Sequence, residues 1–84
     1  MYSHGANMSI TFIGVMKILV AERIKELMKD GELNQVRLAE KVGIKQNTIS
    51  SWLSGKKQPS IESLWRLADY FGVDIDYLVG RKDY

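Results

Sequence analysis

The chain has 84 residues, of which 45% are apolar and 26% charged, as expected for one small folded domain rather than a disordered segment. Cysteine is absent and histidine occurs once, at His4, so a disulfide framework and a thiolate zinc site are excluded and no metal or cofactor is expected. No nucleophile lies in a pattern with a general base, and we therefore expect a binding protein rather than an enzyme.

The net charge of +2 is unevenly distributed along the chain. Residues 1–40 are neutral overall, residues 58–84 sum to −2, and residues 41–57 carry +4 with no acidic side chain. The four lysines of this segment are Lys41, Lys45, Lys56 and Lys57. A concentrated positive segment on a nearly neutral protein indicates an anionic partner on one face, and a solvated basic loop is the alternative that charge alone leaves open.

Residues 1–18 are predicted to form an N-terminal extension. The β-branched and aromatic residues over 10–18 are compatible with a strand-like arm or with an N-terminal extension of the first helix. The most apolar stretch, 10–21, is shorter than the roughly 20 residues of a membrane span and lacks the features of a secretory signal, so we expect no membrane contact and a cytoplasmic location. Its apolar side chains exceed what a five-helix core needs, and part of the extension should pack on the bundle or across a dimer interface.

A first helix is predicted from about residue 19 by apolar residues at helical spacing. These residues are Ala21, Ile24, Leu27 and Met28. The helix should end near Asp30-Gly31, with Gly31 in the left-handed conformation. Asn34 is the predicted N-cap of a second helix over 35–42, which Gly43 should end.

Three further helices complete the predicted bundle. A third helix is predicted over about 46–54, Ser60 is the expected N-cap of a fourth, and Asp74 is that of a short fifth. The residues that the fourth helix should bury are Ile61, Leu64, Leu67 and Ala68. The chain is thus predicted to be all-α, with a five-helix domain over 19–80 and a short tail at 81–84.

Residues 35–54 carry the pattern of two short helices that cross at a tight turn. Ala39 is small enough to let the helices approach, and Gly43, four residues later, suits a left-handed turn. The apolar positions that face the shared core are Leu38, Val42, Ile44, Ile49 and Trp52. This is the spacing of a DNA-binding helix-turn-helix motif.

The chain resembles the Cro/phage-repressor type of helix-turn-helix domain, also called XRE-like. The segments that carry the resemblance are 22–27, 34–35, 38–43, Pro59-Ser60 and 76–80. The resemblance extends over residues 22–80 and implies a five-helix, lambda-repressor-like fold. It further implies a homodimer that binds double-stranded DNA at twofold operators and regulates transcription, usually as a repressor.

The third helix carries the residues to which the resemblance assigns base reading. These are Gln46, Asn47 and Ser51, with Thr48 and Ser50 as possible neighbours. The residue pattern agrees, because burial of Ile49 and Trp52 leaves the N-terminal part of this helix polar and outward. The amides of Gln and Asn can each pair with adenine in the major groove.

Phosphate contacts are expected on both sides of that face. The resemblance implies them at Asn34, Gln35 and Lys56, and charge and position add Lys45 and Lys57. Lys45 departs from the family, which favours Ser or Thr there as a cap, and a cation at a helix start opposes the helix dipole. A DNA contact and neutral drift both explain this departure.

Met28 and Leu53 mark a second departure from the family. Many of its members carry an Arg and a Glu at these positions, and the two form an ion pair. We predict that the two apolar side chains replace the ion pair by direct contact, a swap that is often neutral or stabilising. A simply exposed Leu53 is the alternative.

The alternative function is that of a protein-interaction module of antitoxin or antirepressor type. It would bind another protein through the apolar residues 8–20. The two functions can coexist in one chain.

Overall fold

The computed structural model describes the backbone of residues 5–83 and the side chains of Val15 and residues 18–83. Within this part the chain is all-helical, as predicted. The helices are α1 (Gly5–Asp30), α2 (Gln35–Val42), α3 (Gln46–Leu53), α4 (Ile61–Phe71) and α5 (Ile75–Leu78). None of these helices is long and apolar enough to cross a bilayer.

The segment over residues 10–18 belongs to α1, which runs without a break from Gly5. The helical extension is therefore correct and the strand-like arm is not. Packing on the bundle begins at Leu19 and Val20, which are half-buried and buried, whereas Val15 and Ile18 are exposed. The side chains of the predicted apolar set at Ile10, Phe12, Ile13 and Met16 lie outside the described residues.

The core takes one fully buried aliphatic side chain from each helix. These are Ile24, Leu38, Ile49, Leu67 and Leu78. The cluster is completed by Val20, Met28, Val42 and Trp52. The half-buried Leu53 packs against it, so Leu53 is not simply exposed. Direct contact between Met28 and Leu53 stays a prediction.

Ile61 was expected in the core and is 78% exposed, so that prediction is wrong. At about 100° per residue, Ile61 lies about 120° around α4 from Leu67, which marks the inward face. Leu64 and Ala68 lie closer to that face and are half-buried. Ile61 is three residues from Leu64, which is the spacing of one helix face, and this predicted its burial. The rotation of α4 about its axis instead leaves Ile61 exposed.

The end of α1 differs in detail from the prediction. Asp30 is the last helical residue, but the left-handed residue is Glu32, with φ 55°, and not Gly31. The amide of Leu33 donates to the carbonyl of Met28 over 2.8 Å, and the amide of Glu32 donates to Lys29 over 3.1 Å. This closing pattern places the left-handed residue one position beyond the glycine.

Side-chain caps form at Asn34 and Ser60, whose oxygens accept hydrogen bonds from the amides of Arg37 and Ser63. Asp74 occupies the N-cap position of α5 as predicted, but its side chain makes no cap bond. Its carboxylate instead accepts from the ammonium of Lys82 over 3.0 Å. A longer-range ion pair has thus replaced the local cap.

Arg23 fastens the C-terminal end of the chain to α1. Its guanidinium donates to the carbonyls of Tyr77 and Lys82, each over 3.2 Å, and lies 4.6 Å from the centre of the Tyr77 ring. The contact holds α5 against α1 by hydrogen bonds and a cation–π interaction together.

We expect Glu32→Gly to raise the free energy of unfolding by about 1 kcal/mol, because a side chain with a Cβ carries about that cost in the left-handed region. Urea denaturation measures the change. Gly72→Ala is the matched opposite change, since Gly72 has φ 68° and an added Cβ would meet nothing within 4 Å. That variant should lose a similar amount, and a Glu32→Gly protein no more stable than the parent would contradict the assignment.

We expect Leu53→Glu to lower the free energy of unfolding by about 1 to 3 kcal/mol, because it brings a carboxylate against the apolar core. Val36→Glu, at an exposed position of α2, is the control and should stay within about 0.5 kcal/mol of the parent. Adding Met28→Arg to Leu53→Glu should recover part of the loss. A double variant no more stable than Leu53→Glu alone would show that the two side chains do not touch.

Candidate nucleic-acid interface

Two short helices and the turn at residues 43–45 form the centre of the site. Gly43 has φ 69°, and its amide and that of Ile44 both donate to the carbonyl of Ala39, over 2.9 and 3.2 Å. These bonds end α2 and turn the chain towards α3, and the half-buried Ala39 packs against the core. The predicted helix-turn-helix geometry is present.

The outward face of α3 is polar over its N-terminal half. Gln46, Asn47 and Ser50 are exposed, and Thr48 and Ser51 are half-buried. Ser51 differs from the others because its hydroxyl donates to the carbonyl of Asn47 over 3.1 Å. Its proton is therefore engaged within the helix, and the oxygen can still accept a hydrogen bond.

Gln46 and Gln35 meet at the start of the two helices. The Nε2 of Gln46 donates to the Oε1 of Gln35 over 3.4 Å. Gln46 keeps its Oε1 and one Nε2 hydrogen, which is the acceptor–donor pair that matches the N6 and N7 of adenine. A predicted base reader and a predicted phosphate contact are thus adjacent.

The predicted phosphate contacts are arranged around this face. Lys45, Lys56 and Lys57 are exposed, and no salt bridge involves them among the side chains that the structure describes. The amides of Lys56 and Lys57 donate to the carbonyl of Ser51, over 3.0 and 3.2 Å, which ties their loop to the end of α3. Lys45 precedes α3 and makes no side-chain cap bond, as its sequence suggested.

Asn34 caps α2 and also has a free amide donor. Its Oδ1 caps α2 by accepting from the amide of Arg37 over 2.8 Å, and its side chain is exposed. The Nδ2 group remains available as a hydrogen-bond donor. Asn34 and the half-buried Gln35 therefore both place amide donors at the N-terminus of α2, where the helix dipole favours an anion.

Arg66 supports the turn from α4, and the sequence analysis did not assign it a role. Its Nη1 donates to the carbonyl of Gly43 over 3.1 Å and to that of Val42 over 3.4 Å, while its Nη2 binds Glu62 at 2.8 Å. The cation thus lies at the C-terminal end of α2, where the helix dipole favours it. Glu62 and Arg66 are four residues apart, which is the spacing of a helical surface ion pair, and that spacing contains no signal of the contact with α2.

Comparison with known proteins identifies the family of this arrangement. The Helix-turn-helix family model matches residues 24–78. The chain belongs to the XRE-type helix-turn-helix family. The sequence prediction of this family and of an all-α, five-helix fold is therefore confirmed.

Similar proteins are named as transcription regulators. The HTH-type transcriptional activator BcrR of Enterococcus faecalis is 36% identical over 74% of this chain and 30% of its own length. The cryptic phage CTXphi transcriptional repressor RstR of Vibrio cholerae is 31% identical over 77% of this chain and 59% of its own. A transcriptional regulator from Listeria innocua superposes with a TM-score of 0.67, at 39% identity over 73% of this chain and 57% of that one.

The family and its named members support DNA binding in transcription regulation, the function that the sequence predicted. The chain spans between about a third and three fifths of the length of these relatives.

We expect Arg66→Met to lower the free energy of unfolding by about 1 kcal/mol, because the carbonyls of Val42 and Gly43 lose a charged donor at a half-exposed site. Arg37→Met is the control, since Arg37 is exposed on α2 and should change stability by less than about 0.5 kcal/mol. Urea denaturation compares the two. Equal losses would show that Arg66 contributes no more to the turn than an ordinary surface arginine.

Proposed function

We propose that this protein binds double-stranded DNA sequence-specifically and regulates transcription as a repressor in the cytoplasm, acting as a homodimer on twofold operators. The observation that carries the proposal is the uncharged polar face of α3, where Gln46, Asn47 and Ser50 stand exposed between lysines that have no acidic partner among the described side chains. Repression is the role named for RstR, whereas BcrR is named an activator. Binding, rather than catalysis, is the proposed activity.

The proposed docking places the N-terminal half of α3 in the major groove. Its base readers are Gln46, Asn47, Ser51, Ser50 and Thr48, with the first two making the amide contacts. The groove is wide enough for a helix, and a Gln amide matches the hydrogen-bonding edge of adenine. The hydrogen bond that Gln46 donates to Gln35 supports this role, because it limits the orientations of the Gln46 amide before DNA binds.

Phosphates are proposed to lie on both sides of α3. Asn34 and Gln35 would donate from the start of α2, and Lys45, Lys56 and Lys57 would supply charge. Asn34 is held by the cap bond that it accepts from the Arg37 amide, and Lys56 and Lys57 are held by the hydrogen bonds that their amides donate to the Ser51 carbonyl. Such contacts fix the register of the protein on the duplex without reading sequence.

We expect Gln46→Ala to weaken binding to the preferred sequence by about 1–3 kcal/mol per half-site and to relax the preference at one base pair, because an adenine contact is lost. Lys56→Ala should weaken binding to all duplexes alike, because a phosphate contact is lost. The slope of the logarithm of the binding constant against the logarithm of the salt concentration should become less steep by about one unit per site. A salt titration of both variants on selected and scrambled duplexes measures the difference.

Lys29→Ala is the control for these two variants. Lys29 lies exposed in the last turn of α1 and is not one of the proposed DNA contacts, so its loss should leave the affinity and the salt dependence of binding nearly unchanged. Equal loss of affinity by Gln46→Ala on both duplexes would show that Gln46 does not read bases.

Protein binding through residues 8–20 remains a second candidate function. Val15 and Ile18 favour it, since they are 45% and 63% exposed on a helix that continues to Gly5 beyond the bundle. Treating residues 1–18 as a separate functional segment is part of this proposal, although its boundary falls inside α1. Deleting residues 1–15 should then abolish a heterologous complex and leave DNA affinity intact, and loss of DNA affinity alone would refute it.

A further inference from the structure

Arg66 connects α4 to the turn between α2 and α3 by hydrogen bonds. Its Nη1 donates to the carbonyl of Gly43 over 3.1 Å and to that of Val42 over 3.4 Å. A single nitrogen thus bridges the last residue of α2 and the first residue of the turn. Its Nη2 is bound at 2.8 Å to the carboxylate of Glu62, one turn earlier on α4. Because the guanidinium is planar and its donors have fixed directions, Glu62 also restricts the orientation in which Arg66 meets the two carbonyls.

Gly43 lets the guanidinium pack directly on the turn. A Cβ added at Gly43 would lie 3.4 Å from the Nη1 of Arg66, and beyond the chain neighbours it would meet no other atom of the described residues within 4 Å. Arg66 is therefore the nearest group on the side of Gly43 to which a Cβ would point. The turn that it contacts leads directly to Gln46, the first residue of α3.

The first turn of α3 is held by few contacts. Its N-cap residue, Lys45, makes no side-chain cap bond, and the first buried residue of the helix is Ile49, in its second half. The exposed base readers proposed at the start of α3 lie before that anchor. Their direction therefore depends on the turn that precedes them. The half-buried Ile44 holds this turn by packing on the core, and Arg66 holds it by its hydrogen bonds to the carbonyls.

We propose that Arg66 is a positioning residue for base reading. It does not touch DNA, and through the carbonyls of Val42 and Gly43 it fixes the direction in which the chain enters α3. The proposal rests on the proposed function, because it takes the start of α3 as the part that reads base edges. It makes α4, which carries none of the proposed DNA contacts, a determinant of sequence preference.

A displaced reading helix affects specific and non-specific binding differently. Hydrogen bonds to base edges need donor–acceptor distances near 3 Å and good alignment, so they weaken steeply when a side chain is misplaced. Contacts between lysines and phosphates tolerate small displacements, because the ammonium is a point charge on a flexible stem. Loss of Arg66 should therefore reduce the preference for one sequence and leave the salt-dependent, sequence-independent binding in place.

The experiment measures the affinity of the full chain for the selected and the scrambled duplex over a range of salt concentrations. Arg66→Met should weaken binding to the selected duplex about three- to tenfold per half-site, the range that corresponds to one lost hydrogen bond. Binding to the scrambled duplex should change by less than about twofold, because a distant surface charge is screened by salt. The salt dependence of binding should stay that of the parent on both duplexes.

Arg81→Met is the charge-matched control. Arg81 is exposed in the C-terminal tail and is not one of the proposed DNA contacts, so its loss should leave both affinities nearly unchanged. Circular dichroism at the temperature of the binding measurements shows whether each variant is folded. A selection of preferred bases with Arg66→Met adds a second readout, because the relaxed base pairs should include the one that Gln46→Ala relaxes.

Arg66→Lys tests the geometry of the bridge. Lysine keeps the charge but has no planar fork to bond Glu62 and the two carbonyls together, so this variant should recover only part of the lost preference. Recovery of the full preference would overturn the bridge, since charge alone would then suffice.

Two results with Arg66→Met would overturn the positioning role. One is a folded variant that keeps the preference of the parent for the selected duplex. The other is equal weakening on both duplexes with a less steep salt dependence, which would show that Arg66 contacts a phosphate. In both cases the parent still prefers the selected duplex, so the proposed function stands. A parent without any preference among duplexes would instead refute the proposed function, and with it the reading face that Arg66 is proposed to position.

Discussion

The arrangement of the protein depends on five aliphatic side chains that meet in one core, one from each helix: Ile24, Leu38, Ile49, Leu67 and Leu78. Helices of eight residues, such as α2 and α3, are not stable alone, because nucleation outweighs the few hydrogen bonds that they gain. Their stability comes from burying one face. Since the same burial fixes which residues point outward, the core that folds α3 also selects Gln46, Asn47 and Ser50 for solvent. The burial that stabilises α3 therefore also determines which of its residues are exposed for the proposed contact with DNA.

The basic surface consists of lysines that have no acidic partner among the described side chains, although acidic residues occur elsewhere in the chain. Acidic side chains are plentiful on α1 and after residue 61, where Glu22, Glu62 and Asp74 each bind a cation of the same chain. Between residues 41 and 57 no acid occurs, and the described lysines there make no salt bridge. Surface pairs contribute little to stability, so omitting them costs the fold little. The unpaired lysines raise the local potential and would make DNA association sensitive to salt.

The sequence predicted most of the fold because its signals were local. Asn34, Ser60 and Gly43 mark helix ends through cap and left-handed chemistry that depends on a few neighbouring residues, and all three act as expected. The misses have a different origin. Ile61 has the spacing of a buried residue, but the rotation of α4 leaves it exposed. Asp74 binds Lys82, eight residues away, instead of capping α5. Arg66 binds the turn from a helix more than twenty residues later in the chain. Such contacts depend on tertiary placement, which periodicity does not contain. For the candidate site, spacing predicted the exposed half of α3 but not the bond between Gln46 and Gln35, which requires the crossing of the two helices.

A single α3 offers few side chains to base edges, and each base contact contributes only about 1–3 kcal/mol of discrimination. One copy therefore cannot distinguish a site among the many competing sequences of a chromosome. Two copies on a twofold site would double the number of base pairs read without enlarging the domain, and this is the reason for proposing a homodimer.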